Sequence, residues 1–274
     1  MLKITPYAIL LVTLAGYSTM SGYAIAAAPM NAGVGVHISF VDQAGKAASQ
    51  LYVLHGKVRI ESGDAQGSGA IYDASSHSMT VLIPERHAYM VLDQQSAAEM
   101  GAAIQDAQKQ MQTQLANLTP QQRAMVEQMM AKTSMAGGAA KPEVKDLGSS
   151  ETVAGHRCRD TQIVTAGKPG LRMCVAPLSE LGLPAGDMAT LKAMRSDMMR
   201  LMAGLGPMAQ TYSTMANVRG FAIKREVPHR EGFKLVTGTE ILQSASTGNP
   251  PASLFEIPAG YKQTSMKDMM HAGH

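Results

Sequence analysis

Hydrophobic and polar positions alternate with a period of two immediately after the first thirty or so residues. Val34, Val36, Ile38 and Phe40 alternate with Gly35, His37 and Ser39, the pattern of a strand with one buried face. Short apolar runs follow at Leu51–Leu54, Val58–Ile60, Ala70–Tyr72, Met79–Ile83 and Ala88–Leu92. Turn material separates them: His55-Gly56-Lys57, Gly63 to Gly69, Asp73 to Ser78, and Pro84-Glu85-Arg86. These gaps are too short for crossover helices, so the strands are expected to pair antiparallel.

The period changes at Gln94. Met100, Ile104, Ala107, Met111 and Leu115 fall on one helical face, and a second helix is expected from Thr119-Pro120-Gln121-Gln122. There Thr119 caps, Pro120 takes the first helical position and Gln122 completes a capping box. That helix carries Met125, Met129 and Met130 and stops before Gly137-Gly138. Strands are expected again at Glu151–Val153, Thr161–Thr165 and Leu171–Val175, with the turn at Gly167–Gly170. A third helical stretch, roughly 187–204, repeats the methionine stripe through Leu191, Met194, Met198, Leu201, Met202 and Leu205. A hairpin is then expected, with Phe221, Ile223 and Val227 facing Phe233, Leu235 and Thr237 across Pro228 to Gly232. The chain from Gln243 reads as loose, apart from Phe255-Glu256-Ile257-Pro258. Together these predict an α+β fold, a curved antiparallel β-sheet with Met-rich helices packed on it.

The first 26 residues read as a secretory signal. Lys3 is the positive region, Tyr7 to Leu14 the apolar run, and Ala24-Ile25-Ala26 the cleavage pattern. The domain organisation expected is therefore a signal peptide over 1–26 and one α+β domain over 27–262. That domain carries helical insertions near 94–135 and 185–217, and a flexible Met/His tail follows over 263–274. The apolar run is short and interrupted by Gly16, Ser18, Ser21 and Gly22, so no stable membrane span is expected after processing. The expected location is the periplasm.

Composition sharpens this picture in three ways. Charge is nearly balanced, with 24 basic against 21 acidic residues, and aromatic content is 4% with no Trp, which argues against nucleic acid. Methionine is abnormally frequent, 22 against 21 leucines. The only two cysteines, Cys158 and Cys174, are expected to form a disulfide in an oxidising compartment, with a bulge or wider loop reconciling their register. Searches for a nucleophile elbow, a zinc-protease helix, a phosphate loop or a dinucleotide fingerprint find none. The histidines at 37, 55, 77, 87, 156 and 229 lie in or beside strand ends and read as solvated surface. No catalytic residue and no cofactor is expected, and the chain reads as a binding protein rather than an enzyme.

Two features could carry binding. The methionine faces could form a deformable apolar groove through Met125, Met129, Met194, Met198 and Met202, the alternative being an ordinary core. Its partner would be an apolar small molecule, a lipid, or a lipidated or helical exported protein. The tail offers thioethers and imidazoles at Met266, Met269, Met270, His271 and His274, which suit copper, and a periplasmic metal or metal-stress protein is the alternative function.

Several stretches resemble an exported bacterial family, domain of unknown function 4412. They are Tyr52 to Glu61, Ile71-Tyr72-Asp73, Leu82 to Tyr89, Thr119 to Met125, Val153 to Cys158, and Phe255 to Tyr261. What the resemblance implies is a curved antiparallel sheet with helices, akin to the outer-membrane lipoprotein carriers, in a bacterial periplasm. The family has no established reaction to carry over.

Overall fold

In the computed structural model, residues 34–63, 68–123, 125–126, 142–203, 214, 218–231, 234–265 and 268–269 are described. The signal-peptide expectation over 1–26 lies outside them. Twelve strands form one sheet: β1 (Gly35–Val41), β2 (Ala47–Leu54), β3 (Lys57–Ser62), β4 (Gly69–Asp73), β5 (Ser78–Ile83), β6 (Ala88–Leu92), β7 (Glu143–Val153), β8 (His156–Thr165), β9 (Lys168–Ala176), β10 (Phe221–Glu231), β11 (Lys234–Gly248) and β12 (Lys262–Gln263). Among the described residues two longer helices accompany them, α1 (Gln94–Ala116) and α2 (Ala185–Met202).

The spatial order is β12-β6-β5-β4-β3-β2-β1-β11-β10-β9-β8-β7. Consecutive hairpins build each half, and β1 joins them by pairing with β11 on one side and β2 on the other. All pairs are antiparallel except the two-residue β12, which runs parallel to β6. The expected antiparallel sheet is therefore mixed at one edge, and its five amino-terminal strands after β1 lie where their periodicity places them.

Three expectations about the carboxy-terminal half need correction. The β10–β11 turn is tighter than Pro228 to Gly232. Pro228 pairs with Thr237 and Glu231 with Lys234, so the ladder runs through the proline. Next, β11 continues to Gly248, where Gly35 pairs with it, so residues 243–248 are a central strand and not a loose tail. Finally, β7 begins at Glu143, eight residues ahead of the expected strand. Phe255 closes a short 3-10 turn, Ala252–Phe255.

One face of the sheet holds the main core. Val36, Ile38, Phe40, Leu51, Val53, Val58, Phe221 and Ile223 meet Leu191, Met194, Met198, Leu201 and Met202 of α2 in a single buried cluster. Positions 191, 194, 198, 201 and 202 recur at helical spacing, so one stripe of α2 faces the strands. Each such side chain contributes roughly 1.5–3 kcal/mol by burial. The other face carries a smaller cluster of Ile163, Met173, Val175 and Ala222, with Val218 over it.

Helix α1 is capped by Asp93, whose carboxylate accepts from the Ser96 amide at 2.8 Å while the Ser96 hydroxyl accepts from the Asp93 amide. Only its first half packs: Ala97 is buried, and Met100 and Ile104 lie against the core, whereas Met111 is 42% exposed. The turn after it matches expectation, with Thr119 and Gln122 exchanging hydrogen bonds in a capping box. No helix among the described residues is long and apolar enough to cross a membrane.

Candidate functional site

The most connected polar group of the core face is Asp197, whose side chain is 4% exposed. It sits on the stripe of α2 that otherwise carries Leu191, Met194, Met198 and Leu201, so helical geometry turns a carboxylate inward among thioethers. Three groups meet it. The buried Tyr72 hydroxyl of β4 donates to Oδ2 at 2.6 Å. His77 Nδ1 lies 2.8 Å from the same oxygen. Arg200, one turn along α2, pairs with Oδ1. Burial raises the pKa of Tyr72, with nearby Asp73 adding to the rise and Arg200 opposing it. The phenol therefore stays protonated and acts as the donor at neutral pH.

His77 reaches the site because the β4–β5 turn is rigidly built. The Asp73 carboxylate accepts from the Ser75 amide at 2.9 Å and its hydroxyl at 2.6 Å, an Asx turn, and His77 then takes a left-handed φ of 51°. The ring is 64% exposed, so it bridges solvent to the buried carboxylate. With the Nδ1 proton committed to Asp197, Nε2 points away from the carboxylate. Ser76 and Ser78 flank it in sequence, but their hydroxyls bond each other at 2.7 Å.

A cavity of about 340 Å³ opens beside this cluster. Its apolar wall is Ala97 and Ala98 of α1 with Leu201 of α2, and its polar end is Gln94, His77, Asp197 and Arg200. A second buried acid of α2, Asp187, lies near His55 of the β2–β3 turn. Burial raises its pKa and the His55 charge partly offsets that. Both histidines read from sequence as plain surface thus face buried acids of α2.

A second, smaller cavity of about 220 Å³ lies over β7–β11 and is lined mainly by charged side chains. Lys224 bonds both oxygens of Glu151 at 2.9 and 2.8 Å, and Arg172 pairs with Asp160 at 2.9 Å. Burial pushes the Asp160 pKa up, but hydrogen bonds from Ser149 and Arg172 outweigh it and hold the carboxyl below its usual value. Arg225 pairs with Glu240 at 2.6 Å and stacks 4.3 Å from the Phe40 ring centre.

The expected disulfide is present: Cys158 and Cys174 are bonded, with Cα atoms 5.3 Å apart. A register shift between Gln162 and Val164 sets Cys174 opposite Asp160, two residues from Cys158 on the same face, which is the bulge their sequence spacing required. A buried disulfide fits an oxidising compartment.

Three of the five groove methionines share the core. Met194, Met198 and Met202 are buried in the core, because their spacing aims them at the sheet. Met125 is 71% exposed, and Met129 lies outside the described residues. The alternative of an ordinary core describes the α2 stripe. Mild peroxide should therefore oxidise Met111 and Met125 in the folded protein, while Met194, Met198 and Met202 react only on unfolding, as peptide mass spectrometry would read. Of the tail donors, Met269 is described and half-buried; Met266, Met270, His271 and His274 lie outside the described residues.

Sequence reasoning missed Asp197, Tyr72 and His77 as a unit. The available signal was an acid falling in step with the buried α2 stripe, since a carboxylate on an apolar face requires buried partners.

Comparison with known proteins gives one family and little else. The model of a family described as "Domain of unknown function (DUF4412)" matches residues 104–261, more than half of the chain. No curated protein matches. A solved structure described as "Structure of PNGF-II in C2 space group" is similar with a TM-score of 0.36 and 9% identity, over 87% of this chain and 33% of that one. The chain thus spans a third of that structure's length, and a likeness this slight carries no argument.

Proposed function

This chain belongs to the DUF4412 family, and from that premise we propose that it is an exported, non-catalytic binding or accessory protein for an apolar or amphipathic ligand. The ligand is a lipid chain, or an apolar segment of an exported partner, held where the helices cover the sheet in the manner of a lipoprotein carrier. The observation that carries this reading is the 340 Å³ cavity, with Ala97, Ala98 and Leu201 as wall and Gln94, His77, Asp197 and Arg200 at one end. Its size falls at the lower end of the range for small-molecule sites, and a mostly apolar wall with a few convergent polar groups is their usual make-up.

Methionine supports the same reading. Met198 and Met202 lie on α2 on either side of Leu201 in sequence and are buried in the core between the helix and the sheet. Unbranched thioethers repack at small cost, so a ligand entering beside Leu201 can extend inward by displacing them. The buried methionines are then the adaptable floor of the site and not its mouth. The polar cluster holds α2 to the β4–β5 turn while the apolar side yields.

Native mass spectrometry of protein purified from the periplasm tests this. The expected spectrum shows a mature chain starting near Ala27 and a second species heavier by one lipid-sized ligand. A single unliganded species that takes up no added single-chain lipid would contradict it.

A further inference from the structure

Separate from the helix-side cavity, the disulfide lies in a row of side chains whose chemistry exceeds a structural cross-link. Glu151 of β7 is directly opposite Cys158 of β8, and Lys224 of β10 is directly opposite Cys174 of β9. One carboxylate oxygen of Glu151 and the two cysteine sulfurs all lie within 4.8 Å of one another. The charged cavity opens onto this row and is lined by Glu151, Cys174 and Lys224. Four adjacent strands hold these positions, so the row is set by the backbone ladder.

We propose that the reduced form of this protein binds one zinc-class divalent ion through Cys158, Cys174 and Glu151, and that the disulfide and the metal are mutually exclusive occupants of the site. A dithiol reductant makes the site. Its thiolate attacks one cysteine sulfur, its second thiol resolves the mixed disulfide, and the products are two cysteine thiols and the oxidised reductant. Metal binding then releases both thiol protons. Two thiolates with one carboxylate suit a borderline-soft ion, and the cavity leaves a fourth position for water.

Geometry and charge both fit. In a tetrahedral site with metal–sulfur bonds of about 2.3 Å the sulfurs stand about 3.8 Å apart. Three donors already within 4.8 Å of one another reach that arrangement by side-chain rotation, without strand movement. Two thiolates and Glu151 carry three negative charges, which the dication and the Lys224 ammonium balance. Lys224 now bonds both oxygens of Glu151, so the ion displaces it from one oxygen and leaves it as the neighbouring cation.

Cobalt(II) titration of the full mature protein reads this directly, through the thiolate-to-cobalt charge-transfer band that the Met/His tail cannot produce. Reduced, desalted protein should take one equivalent per chain with that band, and oxidised protein should show none. Glu151→Gln should weaken the affinity by about tenfold or more, the scale on which metal-site carboxylates act. Lys224→Met should strengthen it, because the ammonium no longer competes for the carboxylate. A reduced chain that had unfolded would bind through its thiols alone, indifferent to both substitutions. Equal affinity in wild type and Glu151→Gln, or one ion shared between two chains, would overturn the assignment.

Discussion

Glu240→Ala should cost about 3–5 kcal/mol of unfolding free energy, the usual loss when one partner of a buried ion pair is removed. Arg225 and Glu240 are 9% and 14% exposed, and Glu240 accepts from Arg225 Nε at 3.0 Å and from its terminal nitrogen at 2.6 Å. It also accepts the Ser49 hydroxyl at 2.9 Å. Its removal strands a guanidinium over the Phe40 ring, with the Ser49 hydroxyl 3.3 Å away as a weak substitute. The cost is desolvation left uncompensated, so Arg225→Met with Glu240→Leu should restore much of it. The Lys224–Glu151 pair gives the contrast. Both side chains are about a third exposed, so breaking that pair should cost under about 1 kcal/mol. Urea unfolding of Glu240→Ala, the Arg225→Met/Glu240→Leu double variant and Glu151→Ala checks the order, and equal losses for the two pairs would show that burial does not decide here.

The second large effect is at Asp197. Asp197→Ala should cost about 2–3 kcal/mol, because it leaves the Tyr72 hydroxyl, on a fully buried residue, without its acceptor. The contacts to His77 and Arg200 add little, since both side chains are about two-thirds exposed. Tyr72→Phe alone should cost less, because Asp197 keeps two partners. Tyr72→Phe together with Asp197→Ala should cost less than the sum of the singles, since the phenylalanine strands nothing. Additive losses would mean that the two side chains do not act on one another.

Much of the fold is legible in the sequence where burial demands it. The amino-terminal strands show their period of two because one face is pressed against α2. The α2 stripe shows its helical period for the same reason, and the cysteine pair and the Thr119 cap are local chemistry. The misses share a cause. Within residues 243–248, Gln-Ser-Ala-Ser-Thr-Gly, Ser244 to Gly248 pair with β1 yet carry no large apolar group, because a ladder needs backbone and not hydrophobicity. Glu143 to Asp146 form an exposed edge, so nothing constrains their side chains to alternate. Pro228 and Gly232 mark a turn by composition, but the pairing continues through the proline to Glu231.

The site was less legible than the fold. Cys158 and Cys174 follow from their number, whereas Asp197 depends on Tyr72 and His77, more than a hundred residues away in the chain. The methionines were legible as a stripe but not as a surface. The same periodicity serves a core and a groove, and only packing against β1–β3 separates them. The family match, over residues 104–261, covers α2 and β7 to β11 but begins after the α1 residues that line the cavity, which ties the cavity's α2 wall to the shared part of the chain.

The central claim is that the cavity beside Asp197 holds an apolar chain, and filling it is the most direct test. Ala98 lines the cavity yet is exposed on α1, so Ala98→Trp should leave the unfolding midpoint within the small range of surface substitutions. Binding of a single-chain lysophospholipid, followed by displacement of a hydrophobic fluorophore, is the measurement. Saturable binding by the wild type is expected, with an affinity at least about tenfold lower in Ala98→Trp, a loss of about 1.4 kcal/mol or more. Equal affinity in the two proteins, or no saturable binding by the folded wild type, would contradict it.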